Sequence, residues 1–217
     1  KYTAGLYYWD SEYSIDLTSY IGFGAAIGFW PAELDPFFIA LDQTVAQETE
    51  STAFFIEAKK LSRFASSYTH GVVLRERYNK SPYQSPRRIQ SGGGGLISTA
   101  PDYLKFSQML LNDGRYPGGR LVGEASIEAM TRNHLPKGEL AYGYFGFGYG
   151  VRVQISDWGL KGHIGEYGWD GAASTHFWIS PADELVVIAL SQRQPFSNEL
   201  QEVIKPLIYK AVAERSR

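Results

Sequence analysis

A side chain that attacks a carbonyl must be nucleophilic and must have a base beside it, and this chain is short of both. No serine is followed three residues later by lysine. The positions three before its lysines hold Ile56, Glu57, Arg77, Asp102, His134, Trp158, Glu202 and Leu207. No serine has glycine two residues before it, which removes the strained strand-to-helix turn that exposes a nucleophilic serine. The absence of cysteine excludes thiol nucleophiles, thiolate metal sites and disulfides. His70, His134, His163 and His176 form no His-x-x-x-His pair, so no metal site is expected. His163, in a glycine-rich run, is read as a surface or loop histidine rather than a base. The glycines at 92–95 lack the lysine and hydroxyl of a phosphate loop, and those in 143–150 precede no helix, so no cofactor is expected. Two motifs remain: Tyr13-Ser14-Ile15 and Trp169-Asp170-Gly171. Taken alone, the first is nearly uninformative and the second reads as a core tryptophan at the start of a strand.

The elements that would position these motifs are clearest in the second half of the chain. Thr99 caps a helix that Pro101 and Asp102 open, Tyr103, Phe106 and Leu110 repeat at helical spacing, and Gly114 ends it. A shorter helix is expected over 124–132. Residues 145–155 read as one glycine-rich strand, and 172–180 and 184–191 as a hairpin across Pro181-Ala-Asp183. The second arm of that hairpin is apolar on both faces, which predicts a sheet covered on both sides. Ser197 caps a last helix, in which Pro206 should produce a kink or a split. Short helices are read in the first fifty residues, and 75–95 is irregular.

Composition excludes several function classes. With 44% apolar and 20% charged residues the chain is an ordinary globular protein rather than a disordered one. A formal charge of −2 supplies no footprint for nucleic acid. The longest apolar run, Leu185-Val-Val-Ile-Ala-Leu190, has the length of a buried strand, well short of the roughly 20 residues that span a bilayer. The lack of cysteine suits cytoplasm and periplasm alike. Tyr 15, Phe 12 and Trp 5 fit a sheet-rich core, with some left for a cleft that takes acyl or ring substrates.

Read as a series, the motifs carry more. Ser91-Gly-Gly-Gly-Gly-Leu-Ile-Ser-Thr-Ala100, Asp102-Tyr-Leu-Lys-Phe-Ser-Gln-Met-Leu-Leu111, Asn133-His-Leu-Pro136 and Gly165-Glu-Tyr-Gly-Trp-Asp-Gly-Ala-Ala-Ser-Thr-His-Phe-Trp-Ile-Ser180 follow one another in order. Together they resemble the β-lactamase-like serine hydrolases, on the branch of class C β-lactamases and family VIII carboxylesterases. The resemblance runs from about Tyr13 to the C-terminus, with 16–50 fitting poorly. It implies an α+β fold, an antiparallel β-sheet flanked by helices, here as a partial β-lactamase/transpeptidase-like fold lacking its N-terminal strands and nucleophile helix. Residues 1–90 are expected to hold a mainly helical lobe portion with irregular segments. Residues 91–217 would hold helices, the closing strands and the C-terminal helix, as one interdependent unit.

The resemblance also implies roles. Members of this family attack with the serine of a Ser-x-x-Lys motif, which this sequence does not contain. Tyr13 would be the catalytic acid/base: a phenol with an ordinary pKa near 10 ionises more readily beside a lysine ammonium, takes the serine proton and returns it to the leaving group. Ile15, where β-lactamases carry asparagine, favours ester over β-lactam substrates. Trp169, Asp170 and Gly171 would line the acyl pocket, with the Ala173 amide donating to the oxyanion. Asp170 departs from the glycine usual in the esterases, and a carboxylate there would oppose developing negative charge. The expected protein is therefore the C-terminal part of a serine hydrolase, inactive alone. Its partners would be a small ester or acyl substrate, together with an N-terminal partner half or a second copy. The alternative is a non-catalytic binding module of the same fold. The partial fold is further expected to leave bare a sheet face formed by Phe177, Ile179, Val187 and Ala189.

Overall fold

The computed structural model describes residues 2–3, 15–16, 52–69, 73–76, 80–85, 96–156 and 162–215. Tyr13, the glycines at 92–95 and the short helices read in the first fifty residues lie outside the described residues. The early strands are β1 (Tyr2–Thr3), β2 (Ile15–Asp16), β3 (Ser67–Thr69), β4 (Val73–Glu76) and β5 (Ile97–Ser98). Helix α1 (Ala100–Leu111), the hairpin β6 (Arg115–Tyr116) and β7 (Gly119–Arg120), and helix α2 (Glu124–Thr131) follow. Next come β8 (Phe145–Phe147), β9 (Arg152–Gln154), β10 (Tyr167–Gly171), β11 (Thr175–Ser180), β12 (Leu185–Ala189) and β13 (Arg193–Gln194). Helix α3 (Glu199–Arg215) is the last element described. The principal sheet has the order β1-β12-β11-β10-β9-β8, antiparallel throughout except for the parallel β1–β12 pair. This is the α+β architecture the sequence predicts. Among the described residues no helix is long and apolar enough to cross a membrane.

Local chemistry explains the helix ends. The Asp102 N–H donates to Thr99 Oγ1 at 3.4 Å and caps α1, while Pro101 occupies the first turn, where its missing donor costs nothing. The Asp102 carboxylate accepts from Thr52 Oγ1 at 3.2 Å and so ties α1 to the segment before it. Ser197 Oγ accepts from the Glu199 N–H at 3.2 Å, but Asn198 is the residue whose carbonyl takes the first helical bond, from Glu202. The cap is thus shared by two residues. Pro206 does not split α3, which is continuous across it.

The reading of 145–155 as one strand is corrected. Two strands, β8 and β9, turn back on each other, Gly148 N–H donating to Val151 O at 2.8 Å. Gly150 takes φ 79°, and a Cβ on Gly148 would stand 2.0 Å from the Met130 carbonyl oxygen. Side chains are excluded where the chain reverses, so the glycines that looked like a weak strand make a turn.

The sheet is covered on both faces. Tyr103, Met109 and Leu110 of α1, with Ile127 and Met130 of α2, pack on Val153, Tyr167, Trp169, Phe177, Ile179 and Val186. Ile208 of α3 packs on Trp178, Leu185 and Val187 from the other side. The expectation of a bare face is therefore wrong on two counts. The register Phe177↔Ile188, Trp178↔Val187 and Ile179↔Val186 sets Phe177 and Ile179 on one face, Val187 and Ala189 on the other. All four are buried, with Tyr103 against Phe177 at 5.2 Å between ring centroids.

Burial in this core sets an alkaline limit on stability. It pushes the Tyr167 phenol far above its ordinary value, with the charge of Asp113 adding to the effect. Tyr209 is raised in the same sense, by burial first and by Glu166 second. The unfolded chain releases these protons near pH 10 while the folded chain keeps them, so stability is fully present below about pH 10 and falls as pH rises above it. Urea midpoints between pH 8 and 12 should show this loss, and Tyr167→Phe should flatten it. An unchanged slope in that variant would remove Tyr167 from the account.

Candidate active site

The Trp169-Asp170-Gly171 motif ends β10, an interior strand between β9 and β11, with pairs Trp169↔Phe177, Asp170↔His176 and Gly171↔Thr175. Alternation along the strand sends Trp169 and Asp170 to opposite faces. Trp169, 7% exposed, meets Phe147 edge-on at 5.2 Å and Tyr142 at 5.9 Å with the rings tilted by 52°. It is a core residue with one edge toward an exposed tyrosine. The packing reading of the motif is what its ring contacts show.

Asp170 is held from two sides. Arg152 Nη1 donates to Oδ2 at 2.6 Å, and His176 Nδ1 lies 2.7 Å from Oδ1. Arg152 also sits 5.0 Å above the Phe145 ring. All three groups are largely buried. The carboxylate therefore turns away from the Trp169 side, and its charge is met by a guanidinium. Gly171 allows the strand to end so closely: a Cβ there would lie 2.1 Å from Thr175 Oγ1.

The turn from β10 to β11 is pinned from behind. Ser174 N–H donates to Gly171 O at 2.9 Å, and Ser174 takes φ 58°. The Ala173 carbonyl accepts from Arg193 N–H at 3.1 Å and from Ser191 Oγ at 2.9 Å. Ser174 Oγ donates to Arg193 O and accepts from Ser197 N–H, both at 3.0 Å. Ala173 is buried, at 1% exposure. These bonds fix the carbonyls of Gly171, Ala173 and Ser174 within the turn. They also occupy Ser174 and Ser191 with main-chain carbonyls.

Of the predicted site residues, Trp169, Asp170, Gly171 and Ala173 are brought together on one strand and its turn. Arg152, His176 and Tyr142 belong to the same constellation and went unread in the sequence. His176 was within reach, because Asp170 and His176 lie equally far from the turn centre. Arg152 was not, because reading 145–155 as one strand hid its partner. His163, by contrast, is exposed and bonded to Asp183 at 2.7 Å, at the opposite end of β11, as a loop histidine.

Protein Rv1367c of Mycobacterium tuberculosis (strain ATCC 25618 / H37Rv) is 29% identical over 159 residues, 66% of this chain and 40% of that protein. The chain thus spans about two-fifths of the length of the curated relatives it matches. Among solved structures, EstCE1, a hydrolase with promiscuous acyltransferase activity, superposes with a TM-score of 0.60 at 19% identity, over 77% of this chain and 48% of that one. A LovD6 mutant of simvastatin synthase from Aspergillus terreus gives a TM-score of 0.63 at 18% identity, over 76% and 48%. These likenesses establish the fold. The Beta-lactamase family model matches residues 35–205, well over half of the sequence, and the chain belongs to that family.

Proposed function

We propose that this chain forms one wall of the cleft of a serine hydrolase that cleaves carboxylic esters through an acyl-enzyme, the attacking serine coming from polypeptide outside these 217 residues. Tyr13 is the acid/base, Trp169 and Gly171 line the acyl pocket, Asp170 supports the strand from its other face, and the Ala173 amide donates to the oxyanion. The observation that supports this reading best is the pinned turn. Bonds from Ser174, Ser191 and Arg193 hold its carbonyls in place beside Trp169, with the Asp170 carboxylate paired to Arg152 on the far face. An orphan packing motif has no need of that arrangement, whereas an acyl-transfer site does.

Joining a Ser-x-x-Lys-bearing segment of a family esterase ahead of Lys1 tests it. The fusion should hydrolyse p-nitrophenyl butyrate, and Tyr13→Phe should lower kcat about 10²- to 10⁴-fold without moving the melting temperature. A well-folded fusion with no turnover would overturn the ester-hydrolase reading in favour of a binding module. A Tyr13→Phe fusion with unchanged kcat would leave Tyr13 a packed aromatic.

A further inference from the structure

The loop before β8 places a bulky residue where glycine or asparagine is the easy choice. Tyr142 has φ 52° and Gly143 φ 81°. Ala141 N–H donates to Phe145 O at 2.7 Å, and Tyr144 N–H to Ala141 O at 3.2 Å. Tyr142 and Gly143 are thus the central pair of a tight reversal with two left-handed residues, whose low-strain sequence is Asn-Gly. A tyrosine there is costly to the backbone. Such strain persists where the displaced side chain serves a purpose.

That side chain stands at the candidate site. The Tyr142 ring is 5.9 Å from Trp169, tilted by 52°, and the residue is 53% exposed while Trp169 is 7% exposed. Leu140 and Tyr144, also exposed, flank it. Burial raises the Tyr142 phenol above its ordinary pKa against the opposing pull of Arg152, with Asp170 adding to the rise, so near neutral pH it is an uncharged O–H. The half-exposed Tyr142 ring, backed by Trp169, offers its open face to a third ring, the kind of contact aromatic groups prefer.

We infer that Tyr142 and Trp169 form an aromatic slot that seats the aryl group of an ester substrate, which makes Tyr142 the residue that sets preference for aryl over small aliphatic esters. The inference rests on the ester-hydrolase reading for its substrate class, but its test needs no turnover.

Titration calorimetry of the chain as it stands, with N-phenylbutanamide as a non-hydrolysable aryl probe and butanamide as the aliphatic control, decides it. The chain should bind the aryl amide and not butanamide. Tyr142→Asn, which suits the turn and removes the ring, should weaken aryl binding about 5- to 10-fold while the melting temperature holds or rises, and Tyr142→Phe should retain it. Equal binding by wild type and Tyr142→Asn, equal binding of the two amides, or no aryl binding by wild type would each overturn the slot. A fusion that binds aryl amide but turns over no ester would instead count against the hydrolase reading alone.

Discussion

Mixed with p-nitrophenyl acetate or butyrate, the 217-residue chain is expected to release nitrophenol no faster than a protein blank. Its sequence has no Ser-x-x-Lys, no glycine-framed nucleophilic serine and no cysteine. The two serines that bond the turn after β10 cannot substitute. Ser174 and Ser191 each donate to main-chain carbonyls, and neither has a described base to take its proton. Loss of a nucleophile from a serine hydrolase costs on the order of 10⁶ in kcat, or ~8 kcal/mol of transition-state stabilisation. Stoichiometric labelling of any serine by a fluorophosphonate probe, seen as a mass shift on the intact chain, would sink this expectation.

The largest effect on stability should come from Lys205→Ala. Lys205 Nζ pairs with Glu166 Oε1, and the Tyr209 hydroxyl donates to Glu166 Oε2, all between β10 and α3. Lys205 also lies 5.3 Å above the Trp178 ring. The Glu166 side chain is 5% exposed and that of Lys205 13%. Burial pulls the Lys205 amine below its ordinary range, opposed by the adjacent Glu166 carboxylate. Deleting the lysine leaves a buried carboxylate with a phenol as its described donor, and breaking such a pair costs about 3–5 kcal/mol. Replacing both partners, as Lys205→Met with Glu166→Gln, should recover most of that loss, because the penalty comes from the stranded charge. Urea unfolding of the three proteins measures it. A single variant within 1 kcal/mol of wild type would show that water reaches Glu166, by about the measure of an exposed pair.

What the sequence disclosed about this fold follows from how far each signal reaches. The start of α1 was legible because Thr99, Pro101 and Asp102 act within one helical turn. The β11–β12 hairpin was legible because Pro181 and Asp183 punctuate an apolar run. The split of 145–155 into two strands was not, since the glycines that weaken a strand are also those that end one. The decision rests on the Met130 carbonyl beside Gly148, contributed by the preceding helix α2. Face assignment failed for the same reason. Phe177 and Val187 fall on opposite faces through a pairing register that no local signal marks. At the candidate site, Trp169 and Gly171 were readable as a motif. Tyr142 and Arg152 were not, because their roles depend on which strand lies beside β10.

The serine that bonds both Arg193 and Ser197 has a mechanical meaning. Ser174 belongs to the turn at the end of β10, while Ser197 leads directly into the C-terminal helix, so one hydroxyl rivets that turn to the start of α3. The helix is clamped again farther along, where Lys205 and Tyr209 grip Glu166 just ahead of β10. Helix and strand are therefore fastened at two points, like a splint laid along a bone. Any motion that lifts α3 must tilt β10 with it and carry the turn amides out of line. A ligand or partner that displaced α3 would therefore act on the turn after β10 without touching it.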